Sequence, residues 1–176
     1  MYALLGVTLA ILIVVGLSVF TGLRIFPAVA GTGTLVLKVM DKPPTGLQVQ
    51  SLTLTIEGVE IHSTGGNWTT FYKGSYTVDL MKVRGVADIL NTGQIPAGDY
   101  TQIRLAISSA TITLVENGQS VTHLVEVPSE KFRLIHPFQI GEGSTTTLTI
   151  DFDADHSVHQ AGQRYVLKPV AKIIEE

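Results

Sequence analysis

The amino-acid sequence predicts a mainly β protein: an N-terminal apolar α-helix over residues 1–27, followed by an antiparallel Ig-like or Greek-key β-sandwich over residues 31–176. Three observations carry this expectation. Met1 to Leu23 contains no charged side chain, with Tyr2, Thr8, Ser18 and Thr21 as its only polar relief. From Gly33 onward apolar and polar residues alternate, the period of a strand with one buried face. Turn-forming clusters then recur at short intervals, as they do along an all-β sandwich.

A helix rises about 1.5 Å per residue, so the uncharged run is long enough to cross a hydrocarbon core of roughly 30 Å. Pro27 ends it, because proline cannot continue the hydrogen-bond ladder. Gly6, Ala10, Gly16, Ser18 and Gly22 are small enough to let helices approach closely, and Val14 sits in the middle of the run. Ala28-Val29-Ala30 has the small-x-small look of a signal-peptidase site. A secretory signal, however, opens with basic residues and has an apolar core of only about 7–15 residues. The segment is therefore expected to be retained.

Within the domain, Thr34 to Met40 reads as a strand ended by the turn cluster Asp41 to Gly46. Val49 to His62 alternates, with Gly58 as a bulge that shifts the register. Gly65-Gly66 turns the chain into Trp68 to Tyr72, and Tyr76 to Leu80 is a further short strand. Leu80, Val83, Ala87 and Leu90 fall at helical spacing and predict a short helix over 82–90. Tyr100 to Ile107, Thr111 to Glu116 and Ser120 to Val127 follow, the last two flanking Asn117-Gly118, the strongest short hairpin signal. Phe132 to Ile140, Thr145 to Phe152 and Tyr165 to Ile174 complete the strands. The twenty threonines suit a pleated surface with a solvated face.

The net charge is −3, and only Arg24 lies in the first thirty residues, so the domain carries eleven basic against fifteen acidic side chains. That balance argues against nucleic acid or an anionic membrane surface as its partner. The absence of cysteine excludes a disulfide framework and thiolate chemistry.

The sequence carries no nucleophile-elbow motif, phosphate-cradling glycine loop or zinc-protease helix motif. Of the five histidines only His156 and His159 are close together, and no catalytic residue is assigned. The densest constellation is Asp151, Asp153 and Asp155, which a continued strand would align on one face opposite Ile150, Phe152 and Ala154. Such carboxylates are the hard oxygen donors that Ca²⁺ prefers. The EF-hand pattern is not met, and the run reads rather as a solvent-facing strand end that discourages edge pairing. No metal and no cofactor is expected. Asn67-Trp68-Thr69 is an N-glycosylation acceptor in a turn, with Asn67 as the candidate modified residue.

Three blocks carry a resemblance: Gln94 to Leu105 (QIPAGDYTQIRL), Thr145 to Ala154 (TTTLTIDFDA) and Tyr165 to Val170 (YVLKPV). They resemble domain-of-unknown-function family 4382, a prokaryotic family of exported β-sandwich domains, over about residues 31–174. The opening Gly33-Thr34-Leu35 strand and Val59 to His62 are also similar. That resemblance implies a surface-attached sandwich and brings no reaction. The N-terminal segment is similar to a processed archaeal type IV pilin, whose uncharged helix packs in a filament core while a β-sandwich faces solvent. A prepilin peptidase would remove a short basic leader, so Met1 is expected to be the mature N-terminus. Leu5 stands where bacterial pilins carry Glu.

The sequence is accordingly expected to encode a non-enzymatic subunit of an extracellular type IV pilus-like filament that serves adhesion. Gly6, Ala10, Val14, Gly16, Ser18 and Gly22 would lie in its assembly helix. Its partners would be copies of itself in a helical homopolymer and the membrane before assembly; a surface or carbohydrate ligand stays open. The alternative is a membrane-anchored extracellular binding module.

Overall fold

A computed structural model describes residues 31–42 and 49–176. The strands are β1 (Thr32–Asp41), β2 (Val49–Ser63), β3 (Trp68–Asp79), β4 (Asp88–Pro96), β5 (Gly98–Glu116), β6 (Gln119–Glu126), β7 (Lys131–Ile140), β8 (Thr145–Phe152), β9 (Val158–Ala161), β10 (Arg164–Leu167) and β11 (Ala171–Glu175). A 3-10 turn at Leu80–Val83 and a four-residue helix α1 at Ala154–Ser157 are the helical pieces among the described residues.

Two sheets enclose one core. The smaller has the order β11-β8-β1-β4, and the larger runs β3-β2-β5-β6-β10-β9, with β7 also on β5. Alternation supplies the core: Leu35, Leu37 and Val39 of β1, with Leu148, Ile150 and Phe152 of β8, face Leu52, Leu54, Ile56, Val59 and Ile61 of β2 and Ile103, Leu105 and Ile107 of β5. Each fully buried aliphatic side chain contributes about 1.5–3 kcal/mol relative to exposure.

The long β5 spans nineteen residues and organises the larger sheet. One edge pairs with β2 from end to end; the other is shared by β7, on 98–106, and β6, on 110–116. At its start the Tyr100 hydroxyl donates to the Pro96 carbonyl at 2.7 Å, and the ring stacks on Phe138 at 5.2 Å. A tyrosine tied back to the chain four residues upstream fixes the crossing from β4 in one sheet to β5 in the other, the device known from Greek-key corners.

The expected fold class is corrected in three respects. An antiparallel sandwich was expected, but both sheets are mixed: β1 runs parallel to β8, and β6 parallel to β10. Alternation is the same in either direction, so the sequence pattern does not encode strand polarity. Second, no helix forms over 82–90. Leu80 and Val83 anchor the 3-10 turn, the Asp79 side chain accepts from the Met81 N–H at 3.1 Å, and Gly85 takes φ +69, a helix-stopping value. Beyond it the chain is drawn into β4 by the open edge of β1, which buries Leu90 and Ile95. Third, the expected N-terminal helix is not part of the architecture described. Residues 1–27, with Gly6, Ala10, Val14, Gly16, Ser18 and Gly22, lie outside the described residues, and no helix among the described residues is long and apolar enough to cross a membrane.

Other expectations meet the structure closely. Register shifts flank Gly58 in β2, and Asn117 (φ 52) and Gly118 (φ 81) make the two-residue turn between β5 and β6. Pairs of segments read separately are single strands, 68–79 and 98–116, while the stretch 165–174 is split at Lys168-Pro169-Val170, where the chain changes sheets.

Gly33 marks a close approach: a side chain there would collide with the Gly141 carbonyl and Ile140. Gly33→Ala is therefore expected to destabilise the domain by about 2 kcal/mol through overpacking. Tyr100→Phe should cost about 1 kcal/mol, the net worth of one hydrogen bond. Urea denaturation measures both, with unchanged slopes; an unaltered midpoint for Tyr100→Phe would show that the corner bond is dispensable.

Candidate functional site

The acidic run does not behave as a continued strand. β8 stops at Phe152, so Asp151, Asp153 and Asp155 do not share one outward face. Asp151 is 7% exposed, opposite Lys172 on β11, whose Nζ lies 3.3 Å from its Oδ2. Asp153 precedes α1, with His156 Nδ1 at 2.8 Å and Lys42 Nζ at 3.5 Å. Asp155 faces Arg84 at 3.3 Å. Each carboxylate thus meets its own cation, and no three acidic or histidine side chains converge on an ion position among the described residues. His159 lies apart, exposed on β9.

The same end of the domain contains a charge the sequence did not single out. Asp41, the last residue of β1, is 1% exposed. Its Oδ2 accepts from Arg84 Nε at 2.9 Å and its Oδ1 from the Ala154 N–H at 2.9 Å, while its carbonyl accepts from the Gly85 N–H at 3.1 Å. Arg84 also reaches Asp155, so one guanidinium joins the ends of β1, the 3-10 turn and α1. Burial pushes the Asp41 carboxyl above its ordinary range, against the lowering effect of the Ala154 N–H and Arg84. No spacing rule reveals such a pair, because its members are 43 residues apart.

A second cluster lies across the outer face of the larger sheet. Trp68, His62, Gln102 and Ile135 stand in register on β3, β2, β5 and β7, and Thr70, Glu60, Arg104 and Arg133 form the next row. Arg104 places its guanidinium on Glu60 Oε2, at 2.7 Å from Nε and 2.6 Å from Nη2, and 4.0 Å over the Trp68 ring. The His62 ring lies 4.8 Å from the indole. Ile135 is 79% exposed beside this platform. Asn67 is exposed at the adjoining turn, where the sequence placed it.

An open groove of about 580 Å³ runs between β5, β6 and β10, lined among others by Ser108, Ser109, His123, Leu124, Arg164 and Tyr165. His123 stands between Glu116, 2.8 Å away, and the Tyr165 ring at 4.9 Å; Arg164 pairs with Glu126 at 3.2 Å; Leu124 is 84% exposed. This mixture of an apolar knob, an aromatic edge and paired charges suits contact with another surface. Among the described residues no serine hydroxyl is hydrogen-bonded to a histidine, the pairing that activates a serine nucleophile.

Asp41→Ala leaves the Ala154 N–H unpaired and Arg84 half-neutralised in a largely buried place, at an expected cost of about 3–5 kcal/mol in urea denaturation; a loss under about 1 kcal/mol would mean that water replaces the carboxylate. The pH dependence separates two aspartates. The hydrogen bond to His156, helped by Lys42, holds Asp153 below its unfolded value of 3.8, so its stabilisation is present above that value and lost as pH falls through the lowered one. Asp41 is raised above 3.8 and acts oppositely, costing stability as pH rises past that value. Asp153→Asn should flatten the acid limb of stability against pH and Asp41→Asn should steepen it, read from urea midpoints between about pH 2 and 6.

The family described as "Domain of unknown function (DUF4382)" matches over residues 32–169, from the first residue of β1 to the proline before β11. No curated protein and no solved structure matches. The match covers most of the chain and both sheets of the sandwich: the protein belongs to the DUF4382 family.

Proposed function

We propose that the chain is a structural, non-catalytic subunit of an extracellular type IV pilus-like filament, displaying its β-sandwich for adhesion. The observation that carries this is the junction between the two parts of the sequence. An uncharged run of twenty-three residues, Met1 to Leu23, is followed after only Arg24 to Gly31 by β1, a strand hydrogen-bonded on both sides. In this reading the apolar segment rests in the membrane before assembly and packs among copies of itself afterwards, with Gly6, Ala10, Gly16, Ser18 and Gly22 allowing close approach. Apolar surface removed from solvent contributes about 25 cal/mol per Å², a large sum over a segment of this size.

The attachment suits a subunit under tension. A pull on the N-terminal segment acts along β1, whose pairs with β4 (Thr32 to Val39) and β8 (Thr34 to Asp41) lie on opposite edges. Load along the strand axis shears both ladders together instead of peeling one bond at a time. The groove with Leu124, Tyr165 and the Arg164–Glu126 pair favours a second reading, a cell-attached binding module held by the same segment without polymerising.

Electron microscopy of sheared cell-surface material, labelled with antibody against the domain, distinguishes the two. Labelled filaments are expected from the unaltered chain and none from Val14→Asp, because a charge in the apolar segment costs about 2.5–3.5 kcal/mol per copy in an apolar surround. The altered chain should still accumulate with a protease-resistant domain. Normal filaments from Val14→Asp, or filaments that never label, would overturn the assembly reading; surface label without filaments would favour the binding module.

A further inference from the structure

We propose that Asn67 is an N-glycosylation site and that its glycan forms a collar at the end of the sandwich where the apolar segment leaves. The inference rests on the exported location proposed above, and on four observations independent of assembly.

The acceptor tripeptide Asn67-Trp68-Thr69 lies at the β2–β3 turn, on an edge strand of the larger sheet. The backbone of the turn is fixed: the Ser63 N–H donates to the Asn67 carbonyl at 2.9 Å, the Asn67 N–H donates to Ser63 Oγ at 3.3 Å, and Gly66 takes φ +86. The Asn67 side chain, in contrast, is exposed and makes no hydrogen bond within the described residues. β3 has no strand on its outer edge, so the Asn67 carboxamide is open to an enzyme; Thr69, opposite the buried Ile61, is half-buried at the margin of the sheet.

The position follows from two hydrogen bonds. The Ala97 N–H donates to the Gly31 carbonyl at 2.7 Å, and the Thr64 N–H donates to the Asp99 carbonyl at 3.0 Å. The turn bearing Asn67 therefore sits at the Gly31 end of the domain, opposite the Asn117-Gly118 hairpin. A glycan there shields the neck and leaves the far hairpins bare.

The donor class is an oligosaccharide joined through phosphate to a lipid carrier, used by a membrane oligosaccharyltransferase. The Asn67 amide nitrogen attacks C1 of the first sugar; the C–N bond forms as the C1–O bond to phosphate breaks. The lipid phosphate leaves with the electron pair, and the enzyme's base takes the amide proton. No oxidant or reductant is needed.

Intact-mass and glycopeptide analysis of the full chain from sheared surface material tests this. The unaltered protein is expected to exceed its sequence mass by a glycan located on the peptide containing Asn67. The excess should vanish in Asn67→Gln and Thr69→Ala and persist in Thr69→Ser, which keeps the hydroxyl. Surface protein at its bare sequence mass would overturn the inference while leaving the filament reading standing, and an excess that survives Asn67→Gln would place the modification elsewhere. Failure of the chain to reach the surface would overturn both.

Discussion

Strand β1 is held on both edges for most of its length, and the rest of the domain is arranged around that fact. It pairs with β4 over Thr32 to Val39 and with β8 over Thr34 to Asp41, so every partner it needs comes from far along the chain. Parallel pairing cannot be closed by a hairpin and requires a long crossover. Here the crossover from β1 to β8 is nearly the whole larger sheet, residues 49–140, with β4 returning once to cover the other edge. The strands of the smaller sheet come from both sides of that crossover, and Leu35, Leu37 and Val39 are buried only where the two sheets face each other.

The ends of the sandwich differ in chemistry. At the Gly31 end the chain is pinned by backbone hydrogen bonds: Ala97 to Gly31, Gly143 to Thr32, Ser144 to Gly141. At the opposite end the contacts are charged, with Arg84 gathering Asp41 and Asp155 while Lys42 and His156 flank Asp153. Ser157 completes that end: its hydroxyl donates to the Asp153 carbonyl at 2.7 Å and accepts from the Val170 N–H at 2.9 Å, fixing the point where the chain moves from β10 to β11. The Asp41–Arg84 pair adds less net stability than its short distance suggests, because burial penalises the charge it neutralises. Its consequence is that separating β1, the 3-10 turn and α1 would leave a buried charge without its partner.

Much of the wall was legible in the sequence. Alternation located the strands other than β4 and β9, with β3 and β5 each read as two segments; Asn117-Gly118 located its hairpin and Gly58 its bulge, because each depends on a local rule of side-chain period or backbone sign. The helix expected over 82–90 failed because Leu80, Val83 and Leu90 fit a helical stripe as well as a turn followed by a strand, and an unpaired edge of β1 decided between them. The acidic residues 151, 153 and 155 were expected on one face because the strand was carried three residues too far; ending it at Phe152 turns each carboxylate to a different cation. The Trp68–Arg104–Glu60 platform had no signal in the chain, since its members meet only through pairing of β2 with β3 and β5.

By itself, then, the sequence determined most of the segments that are strands, β4 and β9 excepted, which face of each is apolar, and where the backbone must turn. It also set the uncharged run of twenty-three residues apart from the alternating domain. These are properties of neighbours, fixed by periodicity and by the conformations open to glycine and asparagine. Only the tertiary structure decided strand direction, the division into a smaller and a larger sheet, and the partners of Asp41, Arg84 and Trp68. An alternating strand buries the same face whether its neighbour runs parallel or antiparallel, so nothing within it specifies its neighbour; that choice belongs to the packing of the whole chain.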